Sequence, residues 1–453
     1  MKFLVLLTLS ALAGAPSVLA KQLKIDGVHT NVEIERRSYD ESRVRTEHGV
    51  YLPGHVREEH ETIAEIQIDL KHTSKPPSQT SRTIKRNFEK RQTPTPVTGG
   101  LANVSPVPTV AAGKSDLYNR GQFEWSANIK IGSQTFEVLV DTGSADLWVA
   151  GSQCTNCGSR PKYTLSTSTG ARNLSIPTAS TYLGGRTVRG HLLEDTVTVG
   201  GVAVRSKFAS VWDGASQLTS DIKWSGILGL AFTKLSPTLY PRGYYNWFEE
   251  AYRAVKFKHG IFGLYLHTTQ NSWGGDLSIG GVNPAKYRGN IAWVKIVEIG
   301  TWKVNFNGIN FGTTAVTSSV SKAVVDSGTN FILIPTADFN KITALIGGGI
   351  INADGTYGVD CKRKKDGSLP NITIKLDGNL KLTLTPAQYI LYNPGDANWC
   401  NTAFLPSTGL DFWILGTNFL KAYYTAYNIG WVTANNSDAK IGFAVAYPYA
   451  LDL

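Results

Sequence analysis

Two short segments dominate what this chain can become: Asp141-Thr142-Gly143 and Asp326-Ser327-Gly328. Each is entered from an apolar run, Val138-Leu139-Val140 in one case and Ala323-Val324-Val325 in the other, and each leaves through a further hydroxyl, Ser144 or Thr329. A β-branched strand running into a glycine turn presents its carboxylate at the tip. One such tripeptide means little, since an Asp in a glycine turn commonly forms an Asx-turn or caps a helix. Here the surroundings repeat as well. Ile227-Leu228-Gly229 follows the first Asp and Ile414-Leu415-Gly416 follows the second at nearly the same interval. The chain carries a diverged internal duplication, and two similar β-rich lobes are expected to meet with their Asp turns facing each other.

The stretch from about residue 117 to residue 445, with Asp141-Thr-Gly-Ser-Ala-Asp-Leu-Trp148-Val, Gly226-Ile-Leu-Gly-Leu-Ala, Leu277-Ser-Ile-Gly-Gly-Val and Trp413-Ile-Leu-Gly, resembles the pepsin-like aspartic proteases, in particular the fungal-type secreted members. The resemblance implies an all-β fold of two pseudo-symmetric lobes with a central active-site cleft and a β-hairpin flap. It also implies an endopeptidase that takes protein or peptide substrates, is blocked by pepstatin-type inhibitors, and uses no cofactor and no metal. Gly richness with frequent Val, Ile, Thr and Tyr favours the same all-β class, with short helices around residues 247 to 254 and 336 to 346.

The chemistry explains the pair. Hydrolysing a peptide bond without a metal or a nucleophilic side chain needs a water deprotonated as it attacks and a proton delivered to the substrate. Two carboxylates held close cannot both ionise easily, so they share one proton and supply both functions. Asp141 and Asp326 are therefore assigned jointly as general base and general acid, because such a pair titrates as a unit. Ser144 and Thr329 fall where the family uses a hydroxyl to orient each carboxylate, and Gly143 and Gly328 complete the turns; an ordinary turn hydroxyl is the alternative.

The resemblance also places a flap at Ser180-Thr181-Tyr182-Leu183-Gly184-Gly185-Arg186, with Trp148 as the partner of Tyr182, although an exposed hairpin aromatic is the alternative for that tyrosine. From Tyr182 to Gly190 the flap is one residue longer than the usual pattern. Leu139, Tyr182, Trp224 and Ile227 fall where the family lines its main specificity pocket, which implies cleavage beside bulky hydrophobic residues. Three positions depart from the common pattern: Ser327 for Thr, Thr417 for the Asp after Ile-Leu-Gly, and Ser225 for the Asp before Gly-Ile-Leu-Gly. The two lost acids should alter the pH profile or the charge preference of the subsites.

The front of the chain differs in character. Residues 1 to 20 have the charged start, apolar centre and small-residue exit of a secretory signal peptide, too short to span a membrane. Residues 21 to 91 are polar, charged and Gly-poor, and end in Lys85-Arg86 and Lys90-Arg91, as expected of a propeptide cut by a kexin-type protease to leave Gln92 as the mature start. Chance dibasic pairs are the alternative. A Pro/Thr-rich linker at 92 to 116, an N-terminal β lobe with the flap at 117 to 300 and a C-terminal β lobe at 301 to 453 complete the organisation. In the family the propeptide blocks its own enzyme until acid releases it. Five of the eight His, namely His29, His48, His55, His60 and His72, lie in this segment, which suggests a pH sensor or merely solvated surface His. The chain ends without a hydrophobic tail, so a secreted, soluble monomer without a membrane anchor is expected, with the vacuole as the alternative destination.

Most of the formal net charge of +10 lies after residue 91, which favours contact with anionic surfaces or acidic substrates, or is simply a solvated face. No compact basic helix or zinc pattern supports a nucleic-acid role. The four Cys allow three pairings, and Cys361 and Cys400 are too far apart to make the second close pair of a zinc site. The family's positions imply Cys154 with Cys157 and Cys361 with Cys400; a redox-active Cys-x-x-Cys lacks the βαβ surroundings it needs. Asn103, Asn173, Asn371 and Asn435 begin glycosylation sequons. Two further readings remain: a catalytically dead binding homologue, which would usually have lost an Asp or Gly of the paired motif, and a glycosidase, since paired carboxylates also cleave sugars. The second does not explain the matched Ile-Leu-Gly segments.

Overall fold

The structure, a computed structural model, describes residues 97–100, 108–109, 111–214, 222–393, 396–430 and 438–447, together with three strands between residues 21 and 46. The signal segment, Lys85-Arg86, Lys90-Arg91, His48, His55, His60, His72, Asn103 and Asn435 lie outside the described residues. The chain divides into two units, residues 1 to 89 and residues 90 to 453. In the first, Lys21–Ile25, Val28–Arg37 and Glu41–Thr46 form an antiparallel three-stranded sheet.

Strands are the main regular elements of the second unit. A thirteen-stranded sheet, an eight-stranded sheet and a four-stranded sheet carry it. The two copies of the sequence motif fold alike. Gln134–Asp141 runs parallel to Gly226–Gly229, which pairs antiparallel with Leu147–Ala150. Likewise Lys322–Val325 runs parallel to Trp413–Leu415, which pairs antiparallel with Ile332–Pro335. In each half the strand after the Asp turn and the strand before it therefore flank the Ile-Leu-Gly strand. Leu147–Ala150, Gly226–Gly229 and Trp413–Leu415, and the Val138–Asp141 end of the first strand, are buried on both faces, which is why these runs do not alternate.

The closing glycine of each Ile-Leu-Gly is required by this threading. A Cβ on Gly229 would stand 2.5 Å from the backbone carbon of Ala145, and one on Gly416 would stand 2.2 Å from the Phe331 carbonyl oxygen. No side chain fits there. The Asp turn thus lies directly on the backbone of its partner strand, and the carboxylate is positioned by main chain rather than by a mobile loop.

The large sheet also draws on the end of the chain. Tyr423–Asn428 pairs with Ile261–Tyr265 and with Lys440–Ala446, which in turn pairs with Tyr287–Lys295. An aromatic cluster lies beneath: the Phe262 and Tyr427 rings stack at 4.6 Å, and Trp302 packs edge-on against both. Two helices flank the sheets. Trp247–Arg253 starts at Asn246, whose side chain accepts the Glu249 N–H, and Thr336–Ile346 buries Phe339, Ile342 and Ile346. Disulfides join Cys154 to Cys157 and Cys361 to Cys400.

One buried group in this framework answers to acid. His267 is 7% exposed, its Nε2 lies 3.0 Å from Ser272 Oγ, and its Nδ1 has no hydrogen-bond partner among the described residues. Burial, reinforced by the nearby Lys286 ammonium, holds its pKa below the usual histidine value. The unfolded chain binds a proton at this histidine near pH 6.5 while the folded protein resists it, so this contribution to stability is complete above that pH and is lost as pH falls through the lower folded value. Thermal unfolding across pH should show a smaller acid-side loss for His267→Gln than for the parent; equal losses would exclude His267 as a source.

Candidate active site

The two Asp turns meet at the junction of the halves and grip each other through reciprocal hydrogen bonds. The Thr142 N–H donates to Ser327 Oγ at 3.0 Å, and the Ser327 N–H donates to Thr142 Oγ1 at 2.9 Å. Each hydroxyl then reaches one strand further, Thr142 Oγ1 to the Val325 carbonyl at 3.1 Å and Ser327 Oγ to the Val140 carbonyl at 2.8 Å. Both residues are buried, so these four bonds form with little competition from water. Replacing Thr by Ser at 327 keeps the hydroxyl, and the grip is complete.

Each carboxylate is oriented within its own turn by the same two donors. Asp141 accepts the Gly143 N–H at 2.8 Å and Ser144 Oγ at 2.5 Å. Asp326 accepts the Gly328 N–H at 2.8 Å and Thr329 Oγ1 at 2.6 Å. The glycines also make room for the opposite acid. A Cβ on Gly143 would lie 2.5 Å from the Asp326 carboxyl carbon, and one on Gly328 would lie 2.3 Å from Asp141 Oδ1. The two carboxyls are thus pressed together at the bottom of the site, 5% and 8% exposed.

Over them lies a hairpin made of Arg172–Thr181 and Thr187–Val199. At its turn the Tyr182 N–H donates to the Arg186 carbonyl, and Gly184 and Gly185 both take left-handed backbone angles that place Leu183 outward. The Trp148 indole N–H donates to the Tyr182 hydroxyl at 2.6 Å. Leu139, Trp148, Trp224 and Ile227 form one buried cluster with Cys154, Cys157 and Val188, and the half-buried Tyr182 packs against it. The apolar wall placed by the sequence is thereby brought together, backed by the Cys154–Cys157 loop.

A family model described as eukaryotic aspartyl protease matches residues 124–445. The chain belongs to this family. Cathepsin E of Aquarana catesbeiana is 32% identical over 342 residues, covering 72% of this chain and 81% of the relative. Renin of Canis lupus familiaris is 30% identical over 343 residues, covering 73% and 81%. An aspartic protease of Phaffia rhodozyma is 30% identical over 344 residues, covering 74% and 79%. The protein is accordingly an aspartic-type endopeptidase, a hydrolase of peptide substrates.

The positions where this aspartyl protease departs from the common pattern sit close behind the site. Thr417 is fully buried; its N–H donates to the Thr329 carbonyl at 2.7 Å and its hydroxyl to the Asn330 carbonyl at 3.2 Å. Ser225 is buried as well, and its Oγ has no hydrogen-bond partner among the described residues. Asn173 and Asn371 are both exposed. Sequence reasoning did not single out Thr142, whose part in the grip depends on a residue in the other half. It also missed Glu124, which accepts the Trp224 indole N–H at 3.0 Å and so holds that ring against the apolar cluster. Among the described residues no helix is long and apolar enough to cross a membrane.

Crowding of the two acids has a thermodynamic signature. Burial first, and the Asp326 charge second, push the Asp141 carboxyl up to about 8, against the lowering effect of the Ser144 and Gly143 bonds. The unfolded chain releases that proton near pH 4. Between about pH 4 and 8 the folded protein therefore holds a proton that the unfolded chain has given up, and this source of stability declines as pH rises through that window. Asp326→Asn removes the opposing charge and should raise the melting temperature at pH 7 while changing it little at pH 3. A variant no more stable than the parent at pH 7 would contradict the crowding argument.

Proposed function

We propose that Asp141 and Asp326 are the catalytic pair of a secreted acid endopeptidase that is made as an inactive zymogen and cleaves beside bulky hydrophobic residues. The observation that carries this reading is the pair of carboxyls crowded together at the end of the reciprocal Thr142–Ser327 grip, each with one oxygen held by a turn N–H and the other by a hydroxyl. In the resting pair one proton is shared. As a water attacks the peptide carbonyl carbon, its proton passes to the ionised carboxylate while the protonated carboxyl gives its proton to the carbonyl oxygen. Collapse of the tetrahedral species breaks the carbon–nitrogen bond; the departing amine takes a proton from one carboxyl while a hydroxyl of the tetrahedral species returns its proton to the other, and the pair again holds one proton. Both roles belong to the dyad as a unit.

The remaining parts of the reading have their own supports. The apolar cluster of Leu139, Trp148, Trp224 and Ile227 beside Tyr182 favours a large hydrophobic side chain at the cleavage site, since burying one contributes about 1.5 to 3 kcal/mol. The hairpin turn at Tyr182 would close over bound peptide and exclude water. The signal-like start, the sequons and the two disulfides favour release through the secretory route, outside the cell or into a vacuole. Residues 21 to 91 would act as the intramolecular inhibitor, removed after Arg91.

Denatured haemoglobin or casein should be cut at acid pH, and pepstatin and Asp326→Asn should each abolish the cutting. Folded, processed protein that cleaves nothing at any pH would instead support the binding-homologue reading. Profiling on a peptide library should enrich Leu, Phe and other large apolar residues just before the cut. Dominance of acidic or small residues there would reject the pocket assignment.

A further inference from the structure

A third carboxylate in the same turn takes no part in the pair. Asp146 lies five positions after Asp141, and its carbonyl accepts the Gly229 N–H at 3.1 Å, so its backbone is fixed on the Ile-Leu-Gly strand. Its side chain reaches in two directions. Oδ2 accepts Ser180 Oγ at 2.9 Å, and Oδ1 accepts Ser236 Oγ at 2.5 Å. Ser180 belongs to the first strand of the flap, two residues before Tyr182. Ser236 belongs to the segment following Leu230, where its oxygen also accepts the Leu239 N–H at 2.9 Å. Close by, the Thr178 and Thr238 hydroxyls meet at 2.8 Å, a second bridge between the same two segments.

We propose that Asp146 is the positioning residue that latches the flap over the cleft and thereby sets how tightly substrate is held, a role that rests on the proteolytic reading above. Among the described residues, Arg172–Thr181 is the edge strand of its sheet, paired along its length only with Thr187–Val199. Thr187–Val199 is held on its other side by Val202–Asp213 as far as Arg189, so the hairpin is a two-stranded ribbon from Ser180 to Val188, and such a ribbon is marginally ordered by itself. A flap that must be ordered at each binding event subtracts that entropy from the affinity, and one already held in place does not. One side chain that accepts from Ser180 and Ser236 at the same time ties the ribbon to a second segment, and so is well suited to hold it. The other half of the duplication is consistent with this. The position five residues after Asp326 is Phe331, whose ring lies against Phe123 at 6.4 Å, so the acid occurs in the half that carries the flap.

The test compares Ser180→Ala, Asp146→Ala, Asp146→Asn and the double Ala variant in steady-state cleavage of one peptide, with pepstatin inhibition measured alongside. Leaving one partner of this buried hydrogen bond unsatisfied should raise KM and the pepstatin inhibition constant about tenfold in Ser180→Ala and in Asp146→Ala, with kcat changing less. The double variant should be no worse than Asp146→Ala. Asp146→Asn should recover most of both losses, because an amide can accept from one serine and donate to the other. Ser180→Ala, on a half-buried edge position, keeps the test open if Asp146→Ala fails to fold. Amide hydrogen exchange in the hairpin reads the latch without substrate and should quicken in Ser180→Ala. Unchanged KM and unchanged exchange in Ser180→Ala, or additive losses in the double variant, would overturn the latch. A parent protein without pepstatin-sensitive cleavage would instead overturn the proteolytic reading and leave exchange to decide the latch.

Discussion

The reciprocal pair of bonds between Thr142 and Ser327 is the contact on which the rest of the site depends. Each half of the duplication supplies one donor N–H, one hydroxyl and one carboxyl, and neither half can complete the arrangement alone. The onward bonds to the Val325 and Val140 carbonyls tie each turn to the strand that feeds the other. Two acids that repel each other are therefore held together by four buried bonds that neither acid makes. That separation of tasks lets the carboxyls stay crowded without loosening the turns that carry them.

Above the pair the symmetry is broken. Among the described residues only the first half's Asp turn bonds a flap, through Asp146 and Ser180, and the apolar cluster that includes Leu139, Trp148 and Trp224 lies on that side. Tyr182 connects the two features, since its ring packs on the cluster and its hydroxyl accepts from Trp148. The second half contributes the other acid and a different support: Trp413, entering its Ile-Leu-Gly strand, donates from its indole to the buried Asp338 at 2.8 Å, which joins that strand to the helix Thr336–Ile346. A duplicated framework thus holds symmetric chemistry beneath an asymmetric binding surface.

Much of the site was legible in the sequence because its closest geometry is local. Ser144 and Thr329 reach their Asp residues three positions back, an offset set by the turn itself, and the apolar runs on either side announce buried strands. The helices near residues 247 and 336 were expected from pattern and are present as Trp247–Arg253 and Thr336–Ile346. What escaped reading is what depends on contacts distant in the chain. Nothing local assigns Thr142 a role because its partners stand in the other half, and Glu124 has nothing in its neighbourhood to connect it with Trp224. The pairing of Tyr423–Asn428 with Ile261–Tyr265 is a long-range choice made by the aromatic cluster around Trp302, for which periodicity carries no signal.

The central claim is that the grip forces two carboxyls to share a proton. Carbon-13 NMR of the aspartate carboxyls, titrated from acid to mildly alkaline pH, measures this directly. The Asp141 carboxyl should titrate far above the ordinary aspartate range, and Asp326→Asn should bring it down. An Asp141 carboxyl that titrates near the ordinary value would mean that the pair does not share a proton, and the account of the site would be wrong.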